Sequence, residues 1–419
     1  MENHFFYQIL AQILAPAAML RLRFKAKKIP SYKENTNERF GKNLPEIPQN
    51  KKIIWLHAVS VGEMNAARTL LNLLFKNYTE AHFLLTTTTP TGRKTAKSFA
   101  PKNATICYLP YDTKSAVNRF LTHFHPTIAL FMETEVWPEI LAQLKAHGIP
   151  SFLINARLSK KSARGYANFA KFTKTAFQNF SAVLAQNKKD ARRFRFLGAQ
   201  NVQIFGNMKF DLAPDSAKIA EGLNLKKTLA KKFICAAAST REGEEILILK
   251  AFATSPLKEK ALLLLIPRHV ERTQEIANFA KNCGLTVEFR SKNAKILNCH
   301  VFLGDTMGEM PFFYALADAV VMGGTLCGTG GQNFIEAAQC GCAILLGPST
   351  FNFAAATRDA LKMQAAVSIK NADDAIQFLK KLAENKEKCA EMQENAKRFA
   401  QSFGGATQKT FDFLKGFLQ

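Results

Sequence analysis

At 419 residues the chain is longer than one hydrophobic core usually serves, so two domains are expected; 47% apolar residues with 22 Gly and 15 Pro argue against disorder. Lys and Arg number 57 against 33 Asp and Glu, a net charge of +24, and such a surface attracts phosphates on nucleic acid, anionic lipid or a phosphorylated substrate. The eight cysteines are scattered without a C-x-x-C pair, which argues against a disulfide framework or structural zinc and fits reduced thiols.

The first predicted element is residues 5–20, FFYQILAQILAPAAML, with Arg21, Arg23, Lys25, Lys27 and Lys28 directly behind it. A secretory signal carries its charge ahead of the apolar run, so the order here is reversed. The run is short for a bilayer span and is interrupted by Gln8, Gln12 and Pro16. Residues 1–28 therefore read as a helix lying in the membrane interface, its cations toward anionic lipids on the cytoplasmic side; a helix packed on its own domain is the first alternative and a single span the lesser one.

Short continuous apolar runs then alternate with longer helical patterns, the signature of a parallel sheet covered on both faces. Strands are predicted at 53–58, 82–87, 105–109, 127–131, 151–155, 182–185 and 202–205. A break follows near Pro214, and a second series comes at 233–237, 262–266, 286–289, 300–303, 319–322, 343–346 and 366–369. Two such series predict an α/β chain of two Rossmann-like domains facing a cleft, residues 29–212 and 213–419, the second ending in helices. Ligands in open α/β sheets sit beyond the carboxyl ends of the strands, so the residues after each run are the candidates.

After the first strand comes Ser60-Val61-Gly62-Glu63, where Glu63 is either a helix-start carboxylate favoured by the dipole or a general base facing the cleft. The second strand ends in Thr86 to Gly92, hydroxyls that suit an anion or a plain cap. The fourth delivers Glu133 and Glu135, which either bind substrate hydroxyls or pair with cations such as Arg157 and Lys209. Those cations follow the fifth and seventh strands, where they suit an acidic sugar or serve as surface ion pairs.

In the second series, Ser239 and Thr240 place hydroxyls at a predicted N-cap, and Pro267-Arg268-His269 puts an Arg at a strand end, suited to a phosphate. Met307-Gly308-Glu309 opens a further helix. The strongest feature is residues 323–336, GGTLCGTGGQNFIE: a strand, a glycine-rich loop and a helix, which predicts an anion site of backbone N–H groups, with Glu336 placed to accept from a ribose diol. No D-x-D, H-E-x-x-H or G-x-S-x-G is present, and His123 and His125 read as loop histidines. Basic residues are not interleaved with aromatics along one face, which argues against a nucleic-acid partner.

The blocks HAVSVGE (57–63), TTTTPTG (86–92), YLPYD (108–112), METEVWPE (132–139), NARLS (155–159), GNMKFD (206–211), LIPRH (265–269), GDTMGEM (304–310) and GGQNFIEAA (330–338) resemble, in order, the signature blocks of the 3-deoxy-D-manno-octulosonic acid (Kdo) transferases. The resemblance implies the GT-B architecture, inversion at the anomeric carbon, CMP-Kdo as donor, a tetraacylated, bisphosphorylated lipid A precursor as acceptor, and neither cofactor nor metal. A UDP-sugar transferase of the same architecture is the runner-up. By position the resemblance makes Glu63 the general base and gives transition-state stabilisation to Glu133 and Lys209. CMP contacts fall to Pro267, Arg268, Met307, Gly308, Glu309, Asn333, Phe334, Ile335 and Glu336. Gln332 stands where the family commonly has His, and Phe334 where it has Pro.

Overall fold

A computed structural model of the protein describes residues 2–48, 50–229, 233–292 and 298–418. The chain divides into two compact units, Met1–Leu212 with Gly404–Gln419, and Ala213–Phe403.

The first unit holds seven parallel strands, β1 (Ile53–His57), β2 (His82–Thr87), β3 (Ala104–Tyr108), β4 (Ile128–Met132), β5 (Ser151–Ala156), β6 (Ala182–Ala185) and β7 (Val202–Ile204), in the order β3-β2-β1-β4-β5-β6-β7. The predicted runs and these strands agree to within a residue or so at each end. Alternate residues of β1 explain why the run is apolar throughout. Trp55 packs with Phe120 and Phe131 on one face, while Ile54 and Leu56 join Leu70 and Phe83 on the other. His57 is paired with Thr86 on one side and Phe131 on the other. Strand order reverses between β1 and β4, and such a switch point is where open α/β sheets bind ligands.

The second unit repeats the plan with β8 (Phe233–Thr240), β9 (Ala261–Pro267), β10 (Val287–Phe289), β11 (Val301–Leu303), β12 (Ala319–Met322), β13 (Ala343–Leu346) and β14 (Ala366–Ser368), ordered β10-β11-β9-β8-β12-β13-β14. Its switch point lies between β8 and β12. Two local expectations are corrected. β8 runs on through Ser239 and Thr240, so no hydroxyl caps the next helix; its N-cap is Gly243, at φ +92°. The helix behind the glycine-rich loop is a short one, Ile335–Gln339.

The domain boundary is corrected as well. Residues after 212 were expected in one domain, but the last helix, Ala406–Leu418, belongs to the first unit. Both oxygens of Asp211 accept from its first amides, Gly405 N–H at 2.6 Å and Thr407 N–H at 2.5 Å. Phe413 and Phe417 then pack on Phe205 and Phe152. An amphipathic stripe shows that a helix is covered, not which domain covers it.

The N-terminal helix spans Glu2–Lys28 with Pro16 inside it. Tyr7, Gln8, Ala11, Ala15, Ala18, Met19, Leu22 and Ala26 form its covered stripe, while Phe6, Ile13, Leu14, Leu20 and Phe24 are exposed. Four of the covered positions are alanines while several bulky apolar side chains face outward, unlike an ordinary surface helix. Gln8 donates to Glu139 at 2.8 Å and Tyr7 donates to buried Asp112 at 2.6 Å, which ties the helix down. Among the described residues no helix is long and apolar enough to cross a membrane.

Candidate active site

The carboxyl edge of the first sheet gathers the predicted acids. Glu63 is the third residue of the helix Val61–Asn77, which follows β1. One of its oxygens accepts the Val59 N–H at 2.6 Å, so it does stabilise the helix start. The capping and catalytic readings do not compete, because the second oxygen has no protein partner within hydrogen-bonding reach among the described residues. Burial pushes the carboxyl up to about 7, and the charges of Glu135 and then Glu133 push the same way against the Val59 N–H and Lys209.

Glu133 follows β4 in a left-handed backbone conformation, φ +54°, with 1% of its surface exposed. A non-glycine residue there is uncommon and persists because its side chain is held. Lys209 Nζ lies 2.7 Å from one carboxylate oxygen and Arg157 Nε 2.5 Å from the other. Of the two readings left open by the sequence, Glu133 therefore takes the paired one. Asn155, also left-handed at φ +49°, accepts the Met208 N–H at 3.0 Å and so positions the turn that carries Lys209. Glu135 accepts from Trp137 Nε1 at 2.9 Å and stands 3.4 Å from Nε2 of fully buried His57, whose Nδ1 meets Thr86.

Two further groups hold these loops. Asp112 accepts the N–H groups of Glu139 and Ile140 at the start of the helix Pro138–Ala146, joining YLPYD to METEVWPE. Glu38, also buried, takes a two-pronged ion pair from Arg93 and the Tyr108 N–H, while Arg39 reaches the Thr88 carbonyl. Of the TTTT run, Thr89 caps the helix Pro90–Lys97 through Gly92 N–H, the plain-cap reading. His57, Asn155 and Asp112 lie inside the signature-like blocks with no spacing that marks them as functional, and residues 37–42 carry no motif that points to Glu38 or Arg39.

In the second unit the predicted CMP positions follow β9, β11 and β12, all at one edge of the sheet. Pro267 is the buried last residue of β9; Arg268 is exposed, and among the described residues no carboxylate pairs with it. Met307 is exposed beside Gly308, φ +78°. Glu309 is engaged with Arg290 (3.0 Å), Lys218 (2.7 Å) and Thr306, and these bonds, the Arg290 guanidinium first, hold its carboxyl near about 2. Asn333 is exposed and caps Ile335 N–H at 3.1 Å. Phe334 and Ile335 are buried, Phe334 stacking on Phe399, so only their backbones can meet a ligand. Glu336 is half-buried and burial raises its carboxyl.

The glycine-rich loop departs from the expected anion cradle. Buried Glu244 accepts N–H groups from Gly324 (2.7 Å), Leu326 (2.8 Å), Cys327 (3.3 Å) and Arg241 (2.8 Å). The first half of the loop is thus bound to a carboxylate of its own chain and is closed to another anion. A Cβ on Gly323 would collide with the Ser239 carbonyl, so glycine is required where the loop leaves β12. Among the described residues no group of three or more His, Cys, Asp or Glu gathers as a metal site would need.

Residues 34–212 match the family model described as 3-deoxy-D-manno-octulosonic-acid transferase (kdotransferase), and residues 224–399 match glycosyl transferases group 1. The chain is 36% identical over 376 residues to the 3-deoxy-D-manno-octulosonic acid transferase of Bordetella pertussis, covering 87% of each chain. It is 32% identical to that of Haemophilus influenzae, covering 99% of each. Among solved structures, a glycosyltransferase from Rickettsia africae aligns over 88% of this chain and 99% of its own with TM-score 0.59 at 10% identity. Anabaena HepE in complex with UDP aligns over 87% and 100% with TM-score 0.57 at 13% identity. These two share the fold, which is GT-B. The chain belongs to the 3-deoxy-D-manno-octulosonic acid transferase family.

Proposed function

We propose that this chain transfers Kdo from CMP-Kdo to a lipid A precursor with inversion, and that Glu63 is the general base. The observation that carries the reading is a half-buried carboxyl poised near about 7 at a sheet switch point, one oxygen held by Val59 and the other open. A base is most effective when its pKa lies near the working pH.

The acceptor hydroxyl gives its proton to Glu63 as its oxygen bonds to the anomeric carbon. The bond from that carbon to the CMP phosphate oxygen breaks, and the electron pair leaves with CMP. Arg268, exposed and without an acidic partner among the described residues, is the cation for the leaving phosphate. The Gly324, Leu326 and Cys327 amides are bound by Glu244, and those of Gly330, Gly331 and Gln332 by Ser349, Gly324 and Gly323, so the exposed side chain of Asn333 joins Arg268 in the remaining contacts. Lys209 has 39% of its side chain exposed beyond its pair with Glu133, so it retains donors for the Kdo carboxylate. Glu133 acts by holding Lys209 and Arg157 in place and by raising Glu63.

The outward apolar row of the N-terminal helix and the cations from Arg21 to Lys28 support seating on anionic lipids at the cytoplasmic face of the bacterial inner membrane. Donor choice tests the enzymatic reading: CMP should compete with donor where UDP does not, and stronger competition by UDP would favour a UDP-sugar transferase.

A further inference from the structure

A cavity of about 620 Å³ opens within the first unit, between the N-terminal helix and residues 166–177. Phe6 and Leu10 line it from the helix, Phe172 and Phe177 from that segment, and Val136 and Pro138 complete the apolar lining. Tyr7 also lines it, but its hydroxyl is spent on Asp112 and its ring lies 5.1 Å from that of Phe172, so it presents an aromatic body. The volume is in the range of about 300–1,000 Å³ typical of ligand sites.

Two observations identify the occupant. Val136 and Pro138 follow Glu135 by one and three residues, so part of the lining is continuous with the segment that carries Glu133 and Glu135. Its surroundings are cationic: Lys171 lines it, and exposed Lys160, Lys161 and Arg164 stand on the helix Lys160–Ala167, whose Tyr166 is also part of the lining. Among the described residues none of these four has a carboxylate partner. An apolar cavity with an unpaired lysine in its lining and further unpaired cations on a flanking helix suits an amphiphile whose anionic head stays outside.

We propose that this cavity holds one acyl chain of the phosphorylated lipid acceptor, with Lys171 and the cations of the flanking helix toward its phosphate. The inference rests on the acceptor being the lipid proposed above. It makes the cavity a specificity site: chain insertion brings the acceptor headgroup to the loop of Glu133 and Glu135.

The test labels the full-length protein with photoreactive myristic acid and maps the adducts. Labels are expected within residues 6–10 and 168–177, prevented by excess tetraacylated disaccharide bisphosphate and unaffected by its deacylated form. Ala170→Trp fills the cavity from an exposed lining position, and Leu10→Gln makes the opposite wall polar. Each should lose the label and raise KM for the tetraacylated acceptor in detergent micelles about tenfold, with KM for CMP-Kdo unchanged. Labels elsewhere, labels that resist competition, or an acceptor KM unchanged in both variants would overturn the proposal. So would variants that keep that KM but lose binding to phosphatidylglycerol vesicles, or that lose self-association, since the cavity would then seat a bilayer or a second copy. If wild-type protein labels as expected yet transfers nothing to any acceptor, the transfer reading fails and the acyl site stands.

Discussion

Lys209 Nζ lies 2.7 Å from a Glu133 carboxylate oxygen, and the carboxylate is buried while the lysine is partly open to solvent. The pair is therefore asymmetric. Lys209→Ala leaves a buried carboxylate with Arg157 as its remaining partner, and because Lys209 is solvent-screened the loss should be about 1–3 kcal/mol rather than the full cost of a buried pair. Chemical denaturation reads that loss. Transfer should fall more than stability explains, and Lys209→Arg should restore the fold better than the rate.

Glu63 predicts the pH profile. The base works deprotonated, so kcat/KM should rise about tenfold per pH unit up to about 7 and level off above it. Glu135 is the leading charge that raises it, so Glu135→Gln should move the midpoint to lower pH. Stability follows with the opposite sign. A carboxyl raised by the fold favours the folded state below its unfolded value, and that benefit is lost as pH rises through about 7. Relative to Glu63→Gln, the wild type should lose stability across that window.

Glu244 should behave as a loop clamp. Glu244→Ala strands amides of Gly324, Leu326 and Cys327, and an unsatisfied buried group costs about 1–3 kcal/mol. The expected result is a less stable second unit and a higher KM for CMP-Kdo, with the Glu63 midpoint unmoved. Glu244→Gln, which keeps one acceptor oxygen, should fall between.

The N-terminal helix is best tested by substitution, because deleting it would also uncover Asp112. Ile13→Ser with Leu20→Ser and Phe24→Ser changes only side chains that are 66%, 55% and 67% exposed. Sedimentation with anionic vesicles should weaken by at least tenfold while thermal unfolding stays put. Unchanged sedimentation would give the anchor to another surface.

Much of the fold was legible because buried parallel strands read as continuous apolar runs, and β6, β12 and β13 lie where predicted. Placement of Glu63, Glu133 and Lys209 followed from their position after strands. What the sequence concealed depended on long-range pairing. Glu244 looks like any acid at a helix start, yet it binds a loop about 80 residues away. The glycines signalled a loop whose amides face a ligand, whereas several face Glu244. The last helix shows its apolar stripe plainly, but only the Asp211 cap assigns it to the first unit.

The most direct measurement incubates wild-type protein and Glu63→Ala with CMP-Kdo and tetraacylated lipid A precursor and reads the product masses. The account predicts Kdo-bearing product from the wild type, and from Glu63→Ala a folded, CMP-binding protein whose transfer is lower by about two to four orders of magnitude. Near-normal transfer by Glu63→Ala, or none by the wild type, would contradict it.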